Sequence, residues 1–183
     1  GVHSKEHYST AYDLALIAKY GMQNETFKEL VSTRIYRLPA TNKYNSNDRL
    51  FSTTNDLINK NSSYYYKEAT GVKTGFTTPA GNCLIASANK NNLNFLTVVL
   101  GAESSDNRYL DTRALFDYGF ETYSMKKIIN SGGVVHTITI KNGSSDTKNL
   151  DAIITEDINA LVKKENLSSV ILPEITLNDN LKA

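Results

Sequence analysis

The chain has 183 residues, a hydrophobic fraction of 40% and a formal net charge of +1. This length fits one ordinary domain or two small ones, and the composition allows a packed core. The lysines and arginines are scattered, so no basic patch predicts nucleic-acid binding. The single cysteine excludes an internal disulfide, and no apolar stretch reaches the ~18 residues of a membrane-spanning helix.

Two helices are predicted at the start of the chain. Ser9 or Thr10 can cap the first helix, and Gly21 is a natural stop for it. Its apolar residues recur at helical spacing: Ala11, Leu14, Ile17 and Ala18. A shorter helix is predicted to follow Asn24. Residues 41–63 are rich in Asn, Ser and Thr, so they are interpreted as mostly loop.

Strands dominate the middle of the sequence. Extended segments are predicted at Lys73–Thr77, Cys83–Ala88 and Leu93–Leu100, and the last two are joined by a hairpin turn at residues 89–92. An amphipathic helix is predicted to follow over Asp106–Tyr123. Cys83 lies in an apolar run, which is typical of a buried small side chain.

After Lys127 the pattern becomes β-like. Short strands are predicted at residues 134–140, 152–155 and 169–172, and Asn142-Gly143 is a turn signal. A domain boundary is therefore expected near residues 125–131. The chain is divided into residues 1–126 and a β-rich region of residues 127–183, which is expected to be truncated.

Lys73, Thr74 and Gly75 bring a cation, a hydroxyl group and a missing side chain together. If this segment lies at an exposed strand edge, a substrate peptide can pair with it as an added strand. Lys73 and Thr74 could then bind a carboxylate, and Gly75 would allow close backbone approach. The backbone N–H of Phe76 could form half of an oxyanion hole. A strand end with a solvated lysine is the alternative interpretation.

Several separated blocks of the sequence resemble one enzyme family. They are GVKTGFTTPAGNCLIASA at residues 71–88, HYSTAYDLALIAKY at residues 7–20, and VVLG at residues 98–101 with an arginine-containing helix after it. In order and spacing they resemble the D-alanyl-D-alanine carboxypeptidases, the low-molecular-weight penicillin-binding proteins. The β-like tail is similar to the start of that family's C-terminal domain.

The resemblance implies a serine acyl-enzyme reaction on peptidoglycan stem peptides that end in D-Ala-D-Ala, with β-lactams as inhibitors and no metal or cofactor. Lys73, Thr74 and Gly75 would bind the substrate carboxylate, and Arg108 would assist. The implied fold is α+β, with an antiparallel sheet and flanking helices followed by a small β-rich domain. The implied localisation is extracytoplasmic, in the cell envelope.

In that family the nucleophilic serine of Ser-x-x-Lys and the Ser-x-Asn element precede the HYSTA block. This chain opens almost at that block, so both elements are expected to be absent, and an N-terminal half of the same protein is an expected partner. Other Ser-x-x-Lys matches begin at Ser87, Ser124 and Ser145, all after Lys73. Ser-x-Asn patterns begin at Ser87 and Ser105, and Ser105 is interpreted as a helix cap.

Several alternatives stay open at this point. The segment from His3 to His7 fits a His-x-x-Glu-His zinc pattern but is interpreted as a loop with solvated histidines. The run Tyr64–Tyr66 could be a glycan platform, although a packed loop is favoured, and His136 is interpreted as structural. A serine β-lactamase shares the three-element site, and a peptide-binding module without catalysis is the non-enzyme alternative.

Overall fold

The computed structural model describes residues 3–43, 48–139 and 149–166, and it divides the chain into two units. The first unit covers Gly1–Glu121 and the second covers Thr122–Ala183. Antiparallel sheets and helices together make an α+β fold, as expected. No helix in these described ranges is both long and apolar enough to cross a membrane.

Both predicted N-terminal helices are confirmed, and Thr10, one of the two candidates, is the cap of the first. Helix α1 spans Ala11–Gly21, and the Thr10 hydroxyl accepts a hydrogen bond from the Asp13 N–H at 3.1 Å. Helix α2 spans Glu25–Ser32 and begins after Asn24, whose side chain accepts from the Phe27 N–H at 3.0 Å. Each cap satisfies a backbone donor that has no partner within its helix.

The predicted loop at residues 41–63 is only partly a loop. Strand β1, Ile35–Leu38, pairs antiparallel with strand β2, Arg49–Ser52, and a 3-10 turn follows at Asp56–Ile58. Strands of four residues are too short to show a reliable alternation of apolar and polar side chains. The region was interpreted as mostly loop from its composition, and β2 was not predicted because its strand signal is weak.

The central sheet contains the three predicted strands, each longer than expected. They are β3, Ala69–Thr77; β4, Gly81–Lys90; and β5, Leu93–Ala102, in the antiparallel order β3-β4-β5. The turn between β4 and β5 uses Asn91 and Asn92, with φ values of 52° and 63°. Two left-handed residues are what a two-residue hairpin of matching twist requires, and asparagine tolerates that conformation.

Helix α3, Ser105–Thr122, packs on one face of this sheet through a cluster of buried side chains. The cluster contains Leu57, Tyr66, Leu84, Ala86, Ala88, Leu93, Tyr109, Phe116 and Phe120. The Tyr66 hydroxyl donates to Asp117 at 2.7 Å. Tyr66 is thus packed into the core and Tyr64 against it, rather than displayed. Ser105 is not the cap of α3, because the Asn107 N–H donates to the Ser104 hydroxyl at 3.0 Å.

Helices α1 and α2 cover the other face of the sheet. Helix α1 contacts β4 and β5, and α2 contacts β3. A Cβ atom added to Gly71 would lie 2.8 Å from the Val31 Cγ2 atom, so glycine lets α2 approach β3 closely. Both faces of the sheet are therefore flanked by helices, and β3 lies at one of its edges.

The second unit is β-rich. Strand β6, Tyr123–Ile129, pairs with β9, Ile158–Lys163, and β7, Val134–Thr139, pairs with β8, Asn149–Ile153. The predicted strand at residues 134–140 corresponds to β7, the one at residues 152–155 overlaps β8 only at residues 152–153, and β6 and β9 were not predicted. The predicted boundary between residues 126 and 127 falls inside β6. The predicted turn at Asn142-Gly143 and strand at residues 169–172 lie outside the described residues.

Candidate active site

The Lys73–Thr77 segment is extended and lies on β3, which pairs with β4 alone among the described strands. Its other edge is therefore open within that part of the chain. The Lys73 ammonium donates to the Thr74 carbonyl at 2.7 Å, and we infer that Thr74 turns its backbone groups to the open edge. Backbone groups two residues apart in a strand point the same way, so the Phe76 N–H faces that edge too.

A cluster of polar side chains surrounds this edge. The Lys73 ammonium lies 3.4 Å from the Thr54 hydroxyl oxygen. The hydroxyl groups of Thr54 and Thr74 form a short hydrogen bond of 2.5 Å. Thr74 is nearly buried, at 8% exposure. Lys73 and Thr74 are thus held together by a third residue, Thr54, that sequence reasoning did not identify.

Helix α3 anchors Thr54 from the other side. The hydroxyl group of Tyr109 donates to the Thr54 carbonyl at 2.9 Å and accepts from the Asp56 N–H at 3.4 Å. Tyr109 is 1% exposed, and its ring stacks on Tyr64 with ring centroids 4.9 Å apart. The backbone of Thr54 is therefore fixed by a core residue 55 positions away in the sequence.

Arg108 is connected to Thr54 through the Tyr109 hydroxyl. Its Nη2 atom donates to the Tyr109 hydroxyl at 3.1 Å and to the Ser105 hydroxyl at 3.2 Å. The guanidinium carbon lies 4.8 Å from the centroid of the Tyr109 ring. Its Nε atom is buried without a hydrogen-bond partner in the described structure. The Nε–H group of Arg108 is thus a donor that makes no hydrogen bond within the described residues.

Gly75 borders a groove of about 670 Å³. Its lining includes five residues near the start of the chain and several residues of the sheet region: His3, Ser4, His7, Tyr8, Ser9, Phe76, Pro79, Cys83 and Leu100. A Cβ atom at Gly75 would meet only the Cys83 Cβ atom, at an ordinary 3.7 Å. Packing in the described part of the chain therefore does not require glycine at this position. Cys83 is half-buried beside the groove, so the prediction of a buried thiol was wrong.

The tyrosines beside α3 stay protonated over a wide pH range. A hydrogen bond to Asp106 is the main cause that raises the pKa of Tyr64, and the carboxylates of Asp106 and Asp56 add to it. Burial, followed by the hydrogen bond to Asp117, raises the pKa of Tyr66 more strongly. Both side chains therefore act as neutral packing and hydrogen-bonding groups next to the network.

The other candidate motifs do not assemble a site in the described structure. His3 and His7 are exposed, and no three His, Cys, Asp or Glu side chains gather in a metal-binding cluster within the described ranges. The hydroxyl of Ser87 is 2.8 Å from the hydroxyl of Thr70, and Ser87 is 5% exposed. Ser124 lies on β6 in the second unit, and Ser145 lies outside the described residues.

Comparison with known proteins decides the family. A sequence model described as D-alanyl-D-alanine carboxypeptidase matches residues 1–104, more than half of the chain. The chain belongs to the D-alanyl-D-alanine carboxypeptidase family. The matched region contains Thr54 and the Lys73–Phe76 segment, whereas Arg108 lies just beyond it.

Named relatives agree with this membership. The chain is 30% identical to D-alanyl-D-alanine carboxypeptidase DacF of Bacillus subtilis, over all of this chain and 44% of DacF. It is 29% identical to DacD of Escherichia coli, over 82% of this chain and 36% of DacD. The chain thus spans less than half the length of these carboxypeptidases.

Solved structures give the same fold. The Streptomyces K15 DD-transpeptidase is 31% identical, with a TM-score of 0.59 over 66% of this chain and 45% of that chain. A peptidoglycan synthesis regulatory factor (PBP3) from Streptococcus pneumoniae aligns with a TM-score of 0.68 over 91% of this chain and 45% of that chain. At 22% identity the second likeness concerns the fold alone.

Proposed function

We propose that residues 1–183 are part of a serine-type D-Ala-D-Ala carboxypeptidase, which removes the terminal D-alanine from peptidoglycan stem peptides in the cell envelope, outside the cytoplasm. The observation that carries this proposal is the Lys73–Thr54–Thr74 cluster at the open edge of β3, in a chain of this family. We call the protein that joins these residues to the nucleophilic serine the complete protein.

The role proposed for this chain is recognition of the substrate's terminal carboxylate. Lys73 supplies a cation that two hydrogen bonds hold at the strand edge. Thr74 supplies a hydroxyl group beside it. Hydrogen bonds in which one partner is ionised are shorter and stronger than neutral ones. Arg108, with an unused Nε donor, adds a second positive charge to the same network.

The strand edge also places the reacting peptide bond. A peptide that pairs with β3 as an added strand gains backbone hydrogen bonds in a fixed register. The missing side chain at Gly75 leaves room for that approach. In this register the Phe76 N–H would donate to the oxygen on which negative charge develops, as one half of an oxyanion hole.

The nucleophile and its base are proposed to lie outside these residues. The serine oxygen adds to the carbonyl carbon of the penultimate D-alanine, and the base carries the serine proton to the departing amine of the terminal D-alanine. Water then hydrolyses the resulting ester. A β-lactam would acylate the same serine as its ring amide bond opens. The buried and hydrogen-bonded state of Ser87 supports placing the nucleophile elsewhere.

An apolar stripe on α1 supports a second segment of the same protein as partner. Tyr12, Leu16 and Tyr20 are spaced four residues apart and are 71%, 48% and 79% exposed. Side chains at this spacing share one helix face. Each large apolar side chain left in water forgoes roughly 1.5–3 kcal/mol. We propose that the N-terminal half of the complete protein covers this face.

The test is Lys73→Ala in the complete protein, with Lys67→Ala as a matched control at an exposed lysine. Loss of a donor to a charged group is worth about 1.5–3 kcal/mol, so acylation by a fluorescent penicillin should fall about tenfold to a hundredfold. The unfolding midpoint should stay unchanged, and Lys67→Ala should label normally. Near-wild-type labelling of Lys73→Ala would reject this site, and rapid turnover of penicillin would favour the β-lactamase alternative.

A further inference from the structure

Thr54 lies between the two functional side chains of β3, although it comes 19 residues before Lys73 in the sequence. Its hydroxyl oxygen is 3.4 Å from the Lys73 ammonium and 2.5 Å from the Thr74 hydroxyl oxygen. It belongs to the turn after β2 rather than to the Lys-Thr-Gly segment. The carboxylate site thus has a component on a second part of the chain.

The direction of the hydrogen bonds follows from the donors that are present. An ammonium group can only donate, so the Thr54 hydroxyl accepts from Lys73. Thr54 can then donate its one hydrogen to the Thr74 oxygen. Thr74 in turn keeps its own hydrogen for an external acceptor, and a carboxylate can only accept. Lys73, Thr54 and Thr74 therefore form a chain of donors that ends at the substrate.

The opposite direction would work against binding. If Thr74 donated to Thr54, its lone pairs would face the substrate carboxylate, and the two would repel. Hydrogen bonds in a chain polarise one another, so a donor chain that begins at an ammonium favours the productive direction. Removing the Thr54 hydroxyl breaks this chain in the middle while Lys73 and Thr74 both remain.

Thr54 is held firmly enough to set this direction. Its carbonyl accepts from the buried Tyr109 hydroxyl at 2.9 Å. The N–H of the preceding residue, Thr53, donates to the Arg34 carbonyl at 2.8 Å. The turn that carries Thr54 is thus tied to α3 on one side and to the segment before β1 on the other.

We propose that Thr54 is a positioning residue for carboxylate recognition: it orients the Thr74 hydroxyl hydrogen and the Lys73 ammonium toward the substrate carboxylate. This inference rests on the proposed function, because it requires a substrate carboxylate at Thr74. It assigns a role to a residue outside the Lys-Thr-Gly segment, and it predicts that the role depends on the charge of the ligand.

The experiment compares a penicillin that has a free carboxylate with its methyl ester on the complete protein. Thr54→Val removes the hydroxyl at nearly constant volume. It should slow acylation by the acid about tenfold to a hundredfold but leave acylation by the ester within about threefold of the wild-type rate for that ester. Thr54→Ser should restore most of the rate with the acid. The matched control is Thr97→Val, which should leave both rates unchanged. Thr97 is a buried threonine of β5 whose hydroxyl makes a long hydrogen bond of 3.5 Å to the Ala86 carbonyl.

The outcomes separate this inference from the proposed function. Equal losses with acid and ester would overturn it, because a merely structural role affects both ligands. Unchanged acylation by the acid in Thr54→Val would overturn it as well. If Lys73→Ala also labels normally, the proposed function itself fails. If Thr54→Val does not fold, the ratio of acid to ester rates in Thr54→Ala decides in the same way.

Discussion

Two glycines of β3 are expected to behave in opposite ways when changed to alanine. A Cβ atom at Gly71 would lie 2.8 Å from Val31 Cγ2 and 3.3 Å from the Val31 carbonyl oxygen. A Cβ atom at Gly75 would meet only the Cys83 Cβ atom, at 3.7 Å. Gly71 is therefore required by the fold, whereas packing among the described residues does not require glycine at position 75.

The magnitudes follow from these contacts. Overpacking a filled site costs about 1–3 kcal/mol, so Gly71→Ala should lower the free energy of unfolding by that amount. Replacing a strand glycine by alanine where space is open gains roughly 0.5–1 kcal/mol, so Gly75→Ala should be neutral or stabilising. Its added methyl group would project beside Cys83, at the groove that Gly75 lines. A displacement of about 1 Å in a bound substrate can cost about a hundredfold in rate.

The assay measures both properties on the same proteins. Denaturant unfolding gives the stability of each variant, and the rate of labelling by a fluorescent penicillin gives the function of the site. We expect Gly71→Ala to lose stability and Gly75→Ala to lose labelling at full stability. If Gly75→Ala is destabilised as much as Gly71→Ala, or if it labels at the wild-type rate, the argument that Gly75 serves the substrate is refuted.

Two further predictions concern alkaline stability and the isolated chain. Burial and the hydrogen bond to Asp117 raise the pKa of Tyr66, so the folded chain keeps a proton that the unfolded chain releases above about pH 10. The contribution of Tyr66 to the free energy of unfolding should therefore be fully present below that pH and decrease above it. Melting temperatures between about pH 8 and pH 11 should therefore decline less steeply for Tyr66→Phe, and equal slopes would contradict this. Residues 1–183 alone should give no penicillin adduct by mass spectrometry. An adduct on Ser87, Ser105, Ser124 or Ser145 would show that a complete serine site lies within this chain.

Local signals were enough to predict the two N-terminal helices and the β4–β5 hairpin beside the strand that holds Lys73. The caps at Thr10 and Asn24 rest on side chains that bond to backbone groups three residues away. The β4–β5 hairpin rests on a turn whose asparagines tolerate the left-handed conformation. In each case the physical cause lies within a few residues of its effect, so a single sequence reveals it.

The remaining parts of the site depend on contacts between distant residues. Thr54 and Tyr109 are 55 positions apart, and nothing near either residue indicates that they meet. Threonine in a polar loop is ordinary, and a tyrosine at helical spacing is most often a core residue. Only the packing of α3 on the sheet brings them together, and that depends on side chains spread over the whole first unit.

The group formed by Lys73, Thr54 and Thr74 is consequently tied to the hydrophobic core through Tyr109. Tyr109 belongs to the buried cluster through its ring, and its hydroxyl group donates to the Thr54 carbonyl. Phe116 and Phe120 fix the same helix two and three turns further along, where the ring of Phe95 packs edge-on against Phe120 at 5.0 Å. A functional group is held most accurately when its supporting residues are locked by packing. A shift of α3 along the sheet would move the Tyr109 hydroxyl, and with it the backbone of Thr54, so core packing and the proposed carboxylate recognition are coupled through one side chain.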